Sequence, residues 1–366
     1  MEPVLPALDG ASVAGIVPAL VGGPGDGETA EWIPEVARRA EAVVLLVLDG
    51  LGWNAILEHA ARVPTIAGMA GGAITTVAPS TTATALTSIS TGLAPAQHGV
   101  LGYRIVVAGE VLNVLRWSTA DSRPPDPFDV QRHTSFLGRE VPVITKAEFR
   151  NSGFSNAHLR GARFVGWSTP SVLVEHTRRL IESGERFVYA YYPGIDNIAH
   201  EFGLHNGFYE RELEFADRLV GDLLSVLPGH AALLVTADHG QIHLEHHDWI
   251  DLPELAPMVE VMAGDGRFRY LYARSGAARE LAVAARETLG TRAWVRSRRE
   301  VLDEGWIGAG ATGSVPGRVG DVVLASRDAS AFVDPALPVE VRLRSGHGSL
   351  TPDEMYVPLV AAAGTA

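Results

Sequence analysis

In "YYPGIDNIAHEFG" (residues 191–203), Asp196 and His200 stand four positions apart, directly after an apolar run. On a helix that spacing puts a carboxylate and an imidazole on one face, which serves equally for a surface ion pair or for one corner of a metal site. "ADHG" (237–240) sets Asp238 beside His239, and Gly240 permits the sharp turn that lets adjacent side chains share one ligand. Asp49 is followed by Gly50 and Gly52, another tight exit from an apolar run, although a lone acid there can also cap a helix. In "VAPSTTATALTSISTGLAPAQHG" (77–99), Ser80, Thr81 and Thr82 precede a small-residue helical stretch ending at Thr91-Gly92. One of these hydroxyls sits at a helix N-terminus, where free N–H groups and the helix dipole favour an anion, unless it serves only as an N-cap. The chain has no cysteine, so any transition-metal site must be built from histidine and carboxylate.

The elements that position these residues are legible as periodicities. "AVVLLVLDG" (42–50), "RFVYAYYPGID" (186–196) and "AALLVTADHG" (231–240) are continuous aliphatic runs of the kind buried on both faces of a parallel sheet. Each ends in one of the acidic clusters. Between them, residues 171–184 and 207–227 place apolar residues at spacings of three and four and close on Gly or Pro, as helices do. The alternation predicts an α/β fold: a doubly wound, mostly parallel sheet sandwiched by helices, whose ligands bind beyond the carboxyl ends of the strands. We expect one catalytic domain over residues 1–366, with a small α+β cap inserted at about 253–335, where short strands and a helix follow one another. In the last segment, "VEVRLRS" (339–345) alternates like a strand, His347 lies between glycines, and an apolar strand closes the chain.

Composition bounds the function. A formal charge of −13 with no basic run argues against a nucleic-acid duplex or an anionic membrane as partner. A small anionic substrate then needs a local positive device such as metal ions. The N-terminus lacks a basic n-region and no apolar stretch approaches eighteen residues, so a signal peptide and a membrane span are not expected and the expected compartment is the cytoplasm. Trp117, Trp167 and Trp249 read as core or rim packing, His98 as a residue that fixes its turn, and "HLEHHDWID" (243–251) as a solvated rim loop.

Taken in order, Asp49, "PSTT…TGLAPAQHG", "DNIAH", "ADHG" and "GHG" resemble the nucleotide pyrophosphatase/phosphodiesterase branch of the alkaline phosphatase superfamily, over about residues 43 to 350. The resemblance implies an alkaline-phosphatase-like fold and two divalent ions, expected to be zinc. It implies that Asp196, His200 and His347 hold one ion, and that Asp49, Asp238, His239 and the Thr82 hydroxyl hold the other. Thr82 takes the nucleophile's role because it stands nine residues before Thr91, the family's spacing; Thr81 and Ser80 are the alternatives. Two cations about 4 Å apart suit phosphoryl transfer, since they ready a nucleophile, neutralise the equatorial oxygens and help the departing group. The implied activity is hydrolysis of phosphodiester or phosphoanhydride bonds of a small phosphate ester, such as a nucleotide, through a phosphothreonine. Phosphomonoesterase and phosphonate hydrolase activities use the same core, and a catalytically inactive nucleotide-binding protein on the same fold is the remaining alternative. The sequence departs from the family where an asparagine should follow the "HG" turn: Tyr103 stands there, and Asn113 or Arg104 could take over the phosphoryl contact.

Overall fold

A computed structural model of the chain describes residues 2–22 and 30–366. Strands form where apolar and β-branched residues run unbroken. They are β1 (Ala42–Leu48), β2 (Ala70–Thr75), β3 (Pro142–Lys146), β4 (Arg163–Trp167), β5 (Phe187–Tyr192) and β6 (Ala231–Thr236), then β7 (Val259–Asp265), β8 (Phe268–Ala273), β9 (Ala293–Ser297), β10 (Val322–Ser326) and β11 (Tyr356–Ala363). Seven of them make the central sheet in the order β2-β11-β6-β1-β5-β3-β4. β1 pairs parallel with β5 and β6, and β3 pairs parallel with β4 and β5. Only β11 runs against its neighbours. β1 and β6 are buried at every position, because helices cover both faces of the sheet. The expected α/β class with a mostly parallel sheet is the one observed.

Register brings the chemistry-bearing residues to one edge. Leu48 lies opposite Tyr192 and Val47 opposite Thr236. One step past β1 is therefore Asp49, two steps past β6 is Asp238, and a short turn past β5 is Asp196, all at the carboxyl ends of adjacent strands. Four helices matter to that edge: α1 (Thr82–Thr91), α2 (Pro170–Glu182), α3 (Gly194–Phe202) and α4 (Gly207–Val226). α1 is small and polar, yet every residue in it is buried, and Gly92 closes it at φ 71°, where L side chains are disfavoured. Asn206 caps α4 by accepting from the amides of Phe208 and Tyr209.

A second, antiparallel sheet has the order β7-β8-β10-β9. Its strands alternate: Phe268, Tyr270, Val323 and Ala325 join the main core, whereas Leu271, Val322 and Leu324 face the helix Ala278–Leu289 in a separate apolar cluster. The expected strand at 339–345 is not formed. Pro338 opens a short 3-10 turn over Pro338–Arg342, with Val339 exposed and Glu340 drawn inward to an ion pair with Arg269. The alternation of apolar and charged residues there serves a turn, because the proline has no N–H to give a ladder. No helix among the described residues is long and apolar enough to cross a membrane.

The strand ends approach each other closely. A Cβ at Gly240 would lie 1.9 Å from the Asp353 carbonyl oxygen and 2.8 Å from Gly52 Cα, both backbone atoms. Gly240→Ala is therefore expected to cost about 1–3 kcal/mol of unfolding free energy, the range for overpacking; an unchanged denaturation midpoint in urea would contradict this packing.

Candidate metal centre

Two clusters form beyond the sheet edge. Asp196, at the start of α3, has Oδ1 3.3 Å from Nε2 of His200, one helical turn on. His200 Nε2 is 3.2 Å from His347 Nε2, which is 3.9 Å from Asp196 Oδ1. In the second cluster, His239 Nε2 lies 3.5 Å from Asp49 Oδ1 and 3.5 Å from Asp238 Oδ2, and the Thr82 hydroxyl is 3.1 Å from the same nitrogen. The imidazoles of His239 and His347 stack at 3.7 Å between centroids, so the two clusters adjoin.

The protonation pattern follows from the outer partners. Nδ1 of His200 faces the Ser345 carbonyl, Nδ1 of His347 the Ser80 carbonyl and Nδ1 of His239 the Gly240 carbonyl, each at 3.1 Å. A carbonyl only accepts, so Nδ1 carries the proton in all three rings and Nε2 presents a lone pair inward. Two such lone pairs 3.2 Å apart repel unless a cation lies between them. The facing carboxylate atoms Asp49 Oδ1, Asp196 Oδ1 and Asp238 Oδ2 are buried with no hydrogen-bond partner. The other oxygens of Asp49 and Asp238 are held: Tyr191 Oη donates to Asp49 Oδ2, and the amides of Gly50 and His239 donate to Asp238 Oδ1. Burial, then the charges of Asp238 and Asp196, pushes the Asp49 carboxyl well above the usual range; burial also raises Asp238. Burial, then His239 and His200, holds His347 well below the ordinary imidazole value. These donors fit divalent ions: four ligands at zinc distances make a tetrahedron with edges of about 3.3 Å, close to the separations in both clusters.

Of the three hydroxyl candidates, Thr82 is the one turned to His239. Thr81 Oγ1 pairs with Thr84 Oγ1, and Ser80 Oγ donates to the Ser349 carbonyl. Two cavities flank Thr82. The first, about 300 Å³, is lined by Asp49, Lys146, Phe149 and Tyr191 among others; the second, about 340 Å³, by Tyr103, His200, Trp249 and His347 among others. Only Thr82, Leu115 and Asp196 line both. Asn113 Nδ2 donates to Tyr103 Oη at 2.6 Å, which sets the tyrosine on the wall of the second cavity. Arg104 is turned away to an ion pair with Asp334 and lines neither cavity. His98 accepts the Val100 amide at Nδ1 and donates from Nε2 to Ser88 Oγ, a local role at its turn.

Several contributors were not legible. Lys146, the single lysine of the chain, lines the first cavity, yet only its strand-end position hints at this. Glu354 is fully buried and joins both clusters. Its carboxylate accepts from Arg267 Nε and Nη2 at 2.8 and 2.9 Å and from the Ser349 amide at 2.9 Å, two residues past His347. Its carbonyl accepts the Gly240 amide at 2.9 Å, next to His239. The pattern Thr351-x-x-Glu354 reads as a capping box, which would have kept Glu354 local.

The sequence matches the profile of the family described as Type I phosphodiesterase / nucleotide pyrophosphatase over residues 43–179 and 162–350. No curated sequence matches significantly. Among solved structures, an inactive form of murine ectonucleotide pyrophosphatase/phosphodiesterase 5 in complex with AMP superposes with a TM-score of 0.67 at 13% identity, covering 88% of this chain and 87% of that one. Phosphonoacetate hydrolase from Sinorhizobium meliloti 1021, in complex with phosphonoformate, gives 0.64 at 18% identity, covering 91% of both chains.

Glu354→Gln leaves the Arg267 guanidinium buried without its charge partner. It is expected to cost about 3–5 kcal/mol in equilibrium unfolding, as for a broken buried ion pair; a loss well under that would mean the carboxylate is dispensable.

Proposed function

The chain belongs to the type I phosphodiesterase/nucleotide pyrophosphatase family, hydrolases of phosphodiester and pyrophosphate bonds, and from that premise we propose that it hydrolyses phosphodiester or phosphoanhydride bonds at two divalent cations, with Thr82 as nucleophile. The observation that supports it most is the set of three inward Nε2 atoms, each ring held at Nδ1 by a backbone carbonyl, beside three unpartnered carboxylate oxygens. Asp196, His200 and His347 would hold one ion, and Asp49, Asp238, His239 and the Thr82 hydroxyl the other. The donor set of imidazole nitrogen and carboxylate oxygen suits zinc. When bound, the cations supply charge that favours ionisation of the hydroxyl and stabilises negative charge on the phosphoryl oxygens.

The chain's own groups do the rest. Thr82 is the first residue of α1, whose free N-terminal amides and dipole favour an anion beside its hydroxyl. The hydroxyl oxygen lies 3.1 Å from His239 Nε2, so the two atoms are placed as neighbouring donors to the one ion they would share. The Thr82 Oγ1–phosphorus bond forms as the bond to the departing oxygen breaks, with its electron pair staying on that oxygen and the threonine proton reaching it through water. A water oxygen then displaces Thr82 from phosphorus, and the hydroxyl regains a proton. Two cavities meeting at Thr82 favour a diester, since a monoester has a single organic group to accommodate. A second reading, hydrolysis of a phosphonate bearing a carboxylate, rests on Lys146 on the wall of the first cavity exchanging its Glu148 partner, 3.0 Å away, for the substrate carboxylate.

Thr82→Ala is expected to keep metal bound while lowering kcat on bis(4-nitrophenyl) phosphate about a thousandfold or more. Phosphoprotein trapped by acid quench should disappear with it, and a near-normal rate would move the nucleophile elsewhere. His347→Ala should reduce bound metal, measured by elemental analysis, from two ions towards one, with chelator abolishing turnover of the parent protein. Equal loss of both ions in the variant would contradict this division of ligands.

A further inference from the structure

The two cavities differ in which cluster they touch. Asp196, His200 and His347 all line the second cavity, and none of Asp49, Asp238 and His239 does. The first cavity is lined by Asp49 and Asp196 but by neither His200 nor His347. In an in-line displacement the attacking and departing oxygens lie on opposite sides of phosphorus. Thr82 Oγ1 lies against His239. A departing group opposite it therefore enters the second cavity, and the group retained on phosphorus enters the first. This assignment rests on the proposed reaction at Thr82.

The chemistry of the second cavity then specifies the departing group. Leu115, Leu244, Trp249, Leu337, Val339 and Leu343 supply the large apolar side chains of its wall. Its buried guanidinium, Arg267, is ion-paired: Nε and Nη2 donate to Glu354, and Nη1 to the Asp328 and Ser330 carbonyls at 2.7 and 2.6 Å, four of its five N–H donors. Arg116 is exposed. Two further acids, Asp265 and Glu340, line the wall; Glu340 is paired with Arg269, and Asp265 accepts the Tyr103 amide at 3.2 Å. A pyrophosphate would bring several negative charges beside these carboxylates, met only by the ion proposed at Asp196, His200 and His347 and by the exposed Arg116. An uncharged alcohol with an apolar body would instead remove apolar wall from water on binding.

We propose that the second cavity is the departing-group site and that it takes an uncharged, apolar alcohol, which makes this chain a hydrolase of diesters with neutral departing groups rather than one that releases pyrophosphate. The test uses metal-loaded full-length protein and two phenyl diesters of phosphate. In one the departing group is 4-nitrophenol; in the other it is a nitrophenol of similar acidity carrying a carboxylate. ATP is the third substrate. The parent protein is expected to favour the uncharged departing group at least tenfold in kcat/KM over both others. Val339→Arg introduces a cation on the cavity wall at a position 54% exposed, so it leaves the core intact. It is expected to reduce the preference at least threefold, chiefly through KM. Equal rates on ATP and the uncharged diester, or a preference unmoved by V339R, would overturn the inference while leaving the proposed reaction standing. Absence of metal-dependent turnover on every ester would remove the proposed reaction and this inference together.

Discussion

Everything at this sheet edge depends on concentrated negative charge. Asp49, Asp196 and Asp238 are buried together, each with one oxygen that no described group satisfies, and no arginine or lysine among the described residues bonds them. An isolated buried carboxylate is expensive, and three in contact are more so. Protonation relieves part of the repulsion, which is why Asp49 and Asp238 are pushed upward. Divalent cations would relieve it more completely, and the three imidazoles complete a donor set for them. The acidic protein as a whole is thus compatible with an anionic substrate, because cations held by those carboxylates would set the local field.

Holding such a site requires rigid outer contacts. The three histidines come from a helix, a strand-end turn and a late loop, and each has its ring fixed by a backbone carbonyl. The loop bearing His347 is tied down twice. Ser80 exchanges bonds with Gly348, with its amide donating to the Gly348 carbonyl at 3.0 Å and its Oγ accepting the Gly348 amide at 3.2 Å. Glu354 links the same loop to Arg267 on the hairpin between β7 and β8. The second sheet therefore shapes a cavity and also fixes a candidate ligand. Arg267 and Arg269 lie close to the site, but their charge is spent on Glu354 and Glu340, so they are structural cations rather than anion receptors.

The sequence by itself determined the class of fold and the family. Unbroken aliphatic runs such as Ala42–Leu48 must be buried on both faces, and each ends in an acid; parallel strands then force those acids to one edge. Given a helix, Asp196 and His200 share one face by spacing, and the structure forms that helix over Gly194–Phe202. Periodicity misled at 339–345, where Pro338 converts an alternating stretch into a 3-10 turn. Only the tertiary structure decided which hydroxyl of Ser80, Thr81 and Thr82 faces His239, because rotamers at a helix start depend on neighbours some 160 to 270 residues away. It alone turned Arg104 to Asp334, joined Lys146 to the cavity beside Thr82, and made Glu354 common to both clusters. Local pattern encodes what a segment must bury, whereas the partner of a polar side chain is fixed by packing between segments that are distant in sequence.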